Sequence, residues 1–190
     1  MLKDFTEALG RYLVSRMAAM PEKPVASFSL PGAVAGQNAL SIFLSAMAED
    51  LDLRSSEPQY ERQGLELVAL PPPIRLRCTF IVSAWPAANK PPEEAAFAQL
   101  QLLGEAYRLM ASLKTLPTAV LPEPMKGPGL PKPAIALVED GLSGKPEFWT
   151  SAGCAFRPAF AFAATISLPV TERQYDHLVE EVRVDYDVKL

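Results

Sequence analysis

Pro71-Pro72-Pro73-Ile74-Arg75-Leu76-Arg77-Cys78-Thr79-Phe80-Ile81-Val82-Ser83-Ala84-Trp85-Pro86 reads as one long strand with a hard stop at each end. Ile74, Leu76, Cys78, Phe80, Val82 and Ala84 fall on one face of a period-two pattern. Arg75, Arg77, Thr79 and Ser83 fall on the other, with Ile81 and Trp85 as its apolar members. The first face is core and the second is partly wet. Proline fixes φ and has no N–H, so the triplet stands outside the ladder as a stiff lead-in and pairing begins near Ile74.

Upstream, Leu2, Phe5, Leu9, Tyr12, Leu13, Met17 and Met20 recur at helical spacing, with Lys3, Asp4, Glu7, Arg11 and Arg16 mostly on the opposite side. The pattern predicts an amphipathic helix over residues 2–20 that packs on its own sheet and ends before Pro21. Val25 to Leu30 is a short strand stopped by Pro31-Gly32. Leu40, Ile42, Leu44 and Ala46 alternate with Ser41, Phe43, Ser45 and Met47, a second strand with both faces largely covered. Glu49 to Arg62 is polar and forms an exposed loop or hairpin arm.

Downstream, Pro91-Pro92-Glu93-Glu94 has the polarity of a helix start, and the helix runs to Leu113. Its predicted sheet-facing stripe is Phe97, Leu100, Leu103, Tyr107 and Met110, widened by Leu109 and Leu113. Residues 121–133 carry five prolines and two glycines, a composition neither helix nor strand tolerates. A short strand over Ile135–Glu139 follows, then a helical turn at Glu147-Phe148-Trp149. Ala155 to Val170 is a last strand, with Phe156, Phe160, Phe162, Ala164, Ile166 and Leu168 on one face and small residues on the other. Beyond it, Val182, Val184, Tyr186, Val188 and Leu190 alternate with charged residues, as an edge strand or an arm that pairs in an assembly would. The expected organisation is an α/β (α+β) domain over 1–170, a mixed and mainly antiparallel sheet packed by the two amphipathic helices, with a C-terminal arm over 171–190.

A chain of 190 residues can bury one substantial core. Nineteen prolines are about twice average usage, which suits proline-rich connections between regular elements. The net charge of −4 and the absence of a basic stripe speak against nucleic acid as a partner. No apolar run reaches the ~18 residues of a membrane span, and the N-terminal stretch has no secretory pattern. Those readings place the protein in the cytoplasm, with no direct membrane insertion. Cys78 and Cys154 lie in or beside apolar runs and read as reduced core residues.

No catalytic constellation is found. His177 is the sole histidine, which leaves neither a His-rich metal site nor a Ser/His/Asp triad. Gly141 to Pro146 echoes the end of a phosphate loop, but its glycines are too close and proline replaces the magnesium-binding hydroxyl. No cofactor or metal is expected. The candidates are surface groups: Arg75, Arg77 and Arg157 as cations on an outward sheet face, Trp85 and Trp149 as core plugs or interface anchors, and Val182, Val184, Tyr186 and Val188 as an interchain strand. An alternative is a small-ligand or regulatory module with a groove near the two tryptophans.

The ordered set of N-terminal helix, Leu40-Ser-Ile-Phe-Leu44, Pro71-Pro72-Pro73-Ile-Arg-Leu-Arg77, Ile81-Val-Ser-Ala-Trp85, Gln101-Leu-Leu-Gly104, Thr115-Leu-Pro117, Phe148-Trp149, Gly153 and Phe156-Arg157-Pro158-Ala159 resembles the tail-cap or tail-terminator proteins of phage-tail-like contractile injection systems. The resemblance covers most of residues 1–170. It implies a structural ring, expected to be a hexamer of this chain, that sits on inner tube and sheath proteins, halts their growth and becomes a component of the particle. The family's fold is expected to be a mixed sheet packed by helices.

Overall fold

The computed structural model describes residues 1–34, 38–57, 59–63, 66–127, 130–139 and 141–170. The central strand β5 spans Ile74–Trp85, with the bounds its flanking prolines impose. Around it form α1 (Leu2–Arg16), β1 (Val25–Ser27), β2 (Ala39–Glu49), β3 (Gln59–Gln63), β4 (Glu66–Leu70), α2 (Pro92–Ser112), β6 (Ala134–Val138), α3 (Pro146–Ser151) and β7 (Ala159–Leu168). The main sheet has five strands in the order β1-β2-β5-β7-β6, and β3 and β4 form a separate antiparallel hairpin. Only β1 and β2 run parallel; every other pairing in that sheet is antiparallel.

One face of the sheet carries the main core. Leu40 and Ile42 of β2, Cys78, Phe80, Val82 and Ala84 of β5, and Phe162, Ala164 and Ile166 of β7 meet Phe5, Leu9, Leu13 and Met17 of the first helix and Leu102, Ala106, Leu109 and Met110 of the second. Phe80 and Phe162 are register partners and their rings stack at 4.9 Å, nearly parallel. The first helix therefore packs on its own sheet, as its apolar spacing predicts. It stops at Arg16, four residues short of the predicted end, and continues as turns toward Pro21.

The second face is drier than expected toward the β5 C-terminus. Ile81, Ser83 and Trp85 are buried there, and Ala161 and Ala163 of β7 lie beside them. α3 packs close to this side, its Phe148 ring 6.2 Å from Phe43 of β2. Small side chains on β7 face the same way, in keeping with a close approach.

Three local expectations are corrected. Ser45 is a bulge: Leu44 pairs with Phe80 and Ala46 with Thr79, so Ala46 leaves the face that Leu40, Ile42 and Leu44 share. Ser45 Oγ donates to the Thr79 carbonyl at 3.1 Å. β7 begins at Ala159, after Pro158, so Phe156 precedes the strand and is exposed rather than in the core. The stripe assigned to α2 is turned: its Leu109, Met110 and Leu113 face the sheet as predicted, joined by Leu102 and Ala106, whereas Phe97, Leu100 and Tyr107 are 64%, 57% and 49% exposed.

The two sheet edges differ. The β1 edge is three residues long. At the β6 edge, Ile135 N–H, not engaged by β7, donates to the Lys114 carbonyl at 2.8 Å, so the chain leaving α2 covers that register.

Candidate assembly interfaces

The residues singled out in the sequence do not converge on one place. Arg75 and Arg77 lie near the start of β5 and Trp85 at its end, and eight strand residues separate Arg77 from Trp85 by roughly 26 Å. Arg77 is exposed, opposite Thr165 of β7 and Ala48 of β2. Arg75 is half-buried, and its Nε has no hydrogen-bond partner among the described residues. At this end Thr165 Oγ1 donates to Asp50 Oδ2 at 3.4 Å and Asp50 N–H donates to the Arg75 carbonyl at 2.7 Å.

The same end of the sheet carries apolar side chains that sequence reasoning missed. Met47, Leu51, Leu53 and Ile74 are all exposed. Met47 follows the bulge in β2, Leu51 and Leu53 lie in the segment read as a loop or hairpin arm, and Ile74 opens β5, where the period-two pattern placed it on the core face. The partner strand of that arm, β4, was not anticipated.

At the other end of β5, Trp85 is buried and donates its Nε1–H to Ser83 Oγ at 3.1 Å. The Arg157 guanidinium lies 4.0 Å from the centre of the Trp85 ring, where a cation meets the negative face of the indole. Cys154 packs against Trp85 and Ala39; its thiol is pushed up by burial, which the nearby Arg157 partly offsets. Trp149 is fully buried, donates Nε1–H to the Ser143 carbonyl at 2.8 Å and meets Phe148 and Phe156 edge-on. Both indoles are thus core plugs in this chain, and neither is an exposed anchor.

The open clefts lie elsewhere. One, of about 660 Å³, is lined by Tyr107, Phe160, Leu137 and Lys145, and another, of about 570 Å³, lies between α1 and β1. Burial pushes the Cys78 thiol up to about 11, so it is a protonated core group at neutral pH. Cys78 and Cys154 are both free, as expected. Among the described residues no cluster of three or more His, Cys, Asp or Glu could hold a metal, and no helix is long and apolar enough to cross a membrane. Val182, Val184, Tyr186 and Val188, with His177, lie outside the described residues.

The architecture is that of tube and sheath terminators. It superposes on the sheath/tube terminator of an extracellular contractile injection system, PVC, in its extended state, with a TM-score of 0.65 at 21% identity. That match covers 100% of this chain and 64% of the other. It also superposes on the tube-terminating cap of the anti-feeding prophage, with a TM-score of 0.67 at 20% identity, covering 98% of this chain and 62% of that one. The chain therefore spans under two thirds of the length of these structural relatives. The Pvc16 N-terminal domain model matches residues 4–178, and the chain belongs to that family. Comparison with curated protein sequences gives no match.

Proposed function

We propose that this protein is a structural cap of a contractile phage-tail-like injection system, which ends growth of the inner tube and sheath as a closed ring of identical subunits. The observation that carries this reading is the family match over residues 4–178, supported by a fold shared with two terminators. The surfaces fit such a role. The Met47–Leu53 end of the sheet offers apolar side chains beside Arg77, a composition suited to protein contact. A ring is built from heterologous contacts, so each subunit presents two different patches to its neighbours. Six subunits is the expected count, and the alternating segment from Val182 to Leu190 is a second source of contact by strand addition to a neighbour.

The test is the mass of the purified chain by light scattering, followed by imaging of particles from cells that lack it. A closed ring, with tubes and sheaths of uncontrolled length in its absence, supports the cap. A monomer together with particles of normal length refutes it. Removal of residues 182–190 leaves a folded monomer if that segment joins subunits, and an unchanged ring removes it from the interface.

A further inference from the structure

α2 is apolar on two sides. Its inner side is core; its outer side carries Glu93, Phe97, Leu100, Gly104, Tyr107 and Ala111 at alternating spacings of four and three, the spacing of a helix seam made to meet a partner. All six are exposed, and a side chain placed at Gly104 would meet nothing within 4 Å. Tyr107 meets Phe160 of β7 edge-on at 5.3 Å, but Phe97 and Leu100 leave most of their apolar surface exposed, more than the fold of one subunit uses.

The β1 edge of the sheet holds a matching depression. Between α1 and β1, Val14, Val25 and Phe28 line the groove of about 570 Å³. Gly10 forms its floor, because a Cβ there would come within 2.5 Å of the Phe28 ring. Val25 and Phe28 are 47% and 39% exposed.

The rims are of opposite sign. Arg11 and Lys23 border the groove, and neither has an ion-pair partner among the described residues. The acid at this rim, Glu7, is already engaged by Lys3 at 3.8 Å. Glu93 and Glu94 open the α2 seam, exposed and equally without an ion-pair partner among the described residues.

We infer that the outer seam of α2 in one copy seats in the α1–β1 groove of the next copy, with Glu93 and Glu94 facing Arg11 and Lys23. The occupant is a second copy of this chain because both halves of a complementary pair occur on it, on different elements and as two different surfaces, which is what a head-to-tail contact needs. This inference rests on the ring reading above and assigns its subunit contact.

The test is a charge exchange in the full chain, read as mass by light scattering. Glu93→Arg with Glu94→Arg, and separately Arg11→Glu with Lys23→Glu, each confront like charges at every contact and are expected to leave monomers with unchanged circular dichroism. Mixed in equal amounts, the two variants can alternate around an even-membered ring, each basic seam meeting an acidic groove, and the ring mass returns. A Leu100→Asp variant, which leaves the charges alone, also yields monomers. If the unaltered chain forms a ring that both charge variants keep, the pairing is overturned while the ring reading stands. If only the seam variants lose the ring, or mixing fails to restore it, the seam meets a different surface and the pairing is likewise overturned. A chain that never assembles overturns both.

Discussion

Replacing Trp149 separates a core role from a contact role. The side chain is fully buried, edge-on to two phenylalanines, and holds a 2.8 Å hydrogen bond to the Ser143 carbonyl. Trp149→Ala removes all of this and leaves a cavity beneath the second sheet face, at about 3–5 kcal/mol for a buried indole. A domain of this kind has about 5–15 kcal/mol in total, so the variant remains folded with a narrow margin. With a urea slope of about 2–3 kcal/mol/M, the midpoint falls by roughly 1–2.5 M. Trp149→Phe keeps most of the apolar contact but loses the N–H donor, costing about 1 kcal/mol for the hydrogen bond. Urea titration followed by far-UV circular dichroism measures both, and Trp85 remains as a fluorescent reporter. A Trp149→Ala loss below about 1 kcal/mol would refute the packing argument, because no buried indole of this contact set could be so cheaply removed.

Gly32→Ala is expected to destabilise by about 1–3 kcal/mol, since its Cβ would lie 2.3 Å from the Ala152 carbonyl oxygen and backbone must move; thermal melting measures this, and an unchanged Tm counts against it. The Cys78 thiol, raised to about 11 from 9.0 by burial, stays protonated in the folded chain where the unfolded chain ionises. Stability is then lost as pH rises from about 9 to 11, by about 2–3 kcal/mol at 1.36 kcal/mol per unit, and Cys78→Ala flattens that slope in urea titrations across the range. Arg157→Met removes the cation from the Trp85 face and is expected to cost about 0.5–2 kcal/mol. A double-mutant cycle with Trp85→Leu that gives no coupling would show that the guanidinium adds only packing.

The limits of the central strand were legible because they are covalent: Pro73 and Pro86 end the pairing whatever the tertiary context. The core face of α1 was legible too, since its polar residues leave one apolar stripe. α2 was misread because it has two such stripes. Periodicity marks Phe97, Leu100 and Tyr107 as strongly as Leu102, Leu109 and Met110, and only the sheet decides which side turns inward. The surplus itself was the available signal, an apolar helix with one face too many for one core. The tryptophans show the reverse problem. Their composition suits an interface and a core equally; what resolves Trp85 is a neighbour distant in sequence, Arg157, whereas Trp149 is enclosed by near neighbours, Phe148 and Phe156, that only the local fold brings onto its ring. The separation of Arg77 from Trp85 follows from strand rise alone and could have been worked out beforehand.

The extra residue at Ser45 has a consequence for chain length. Leu44 keeps Phe80 and Ala46 keeps Thr79 on either side of it, so Ser45 can be deleted with every other partnership of β2 intact. Removal of any other interior residue shifts one half of the strand past its neighbour and turns its side chains over. What the deletion would cancel is the local bend, and with it the direction in which Met47 to Leu53 leave the domain. The strand thus contains an aiming device one residue long, which a single codon can add or take away without disturbing the core.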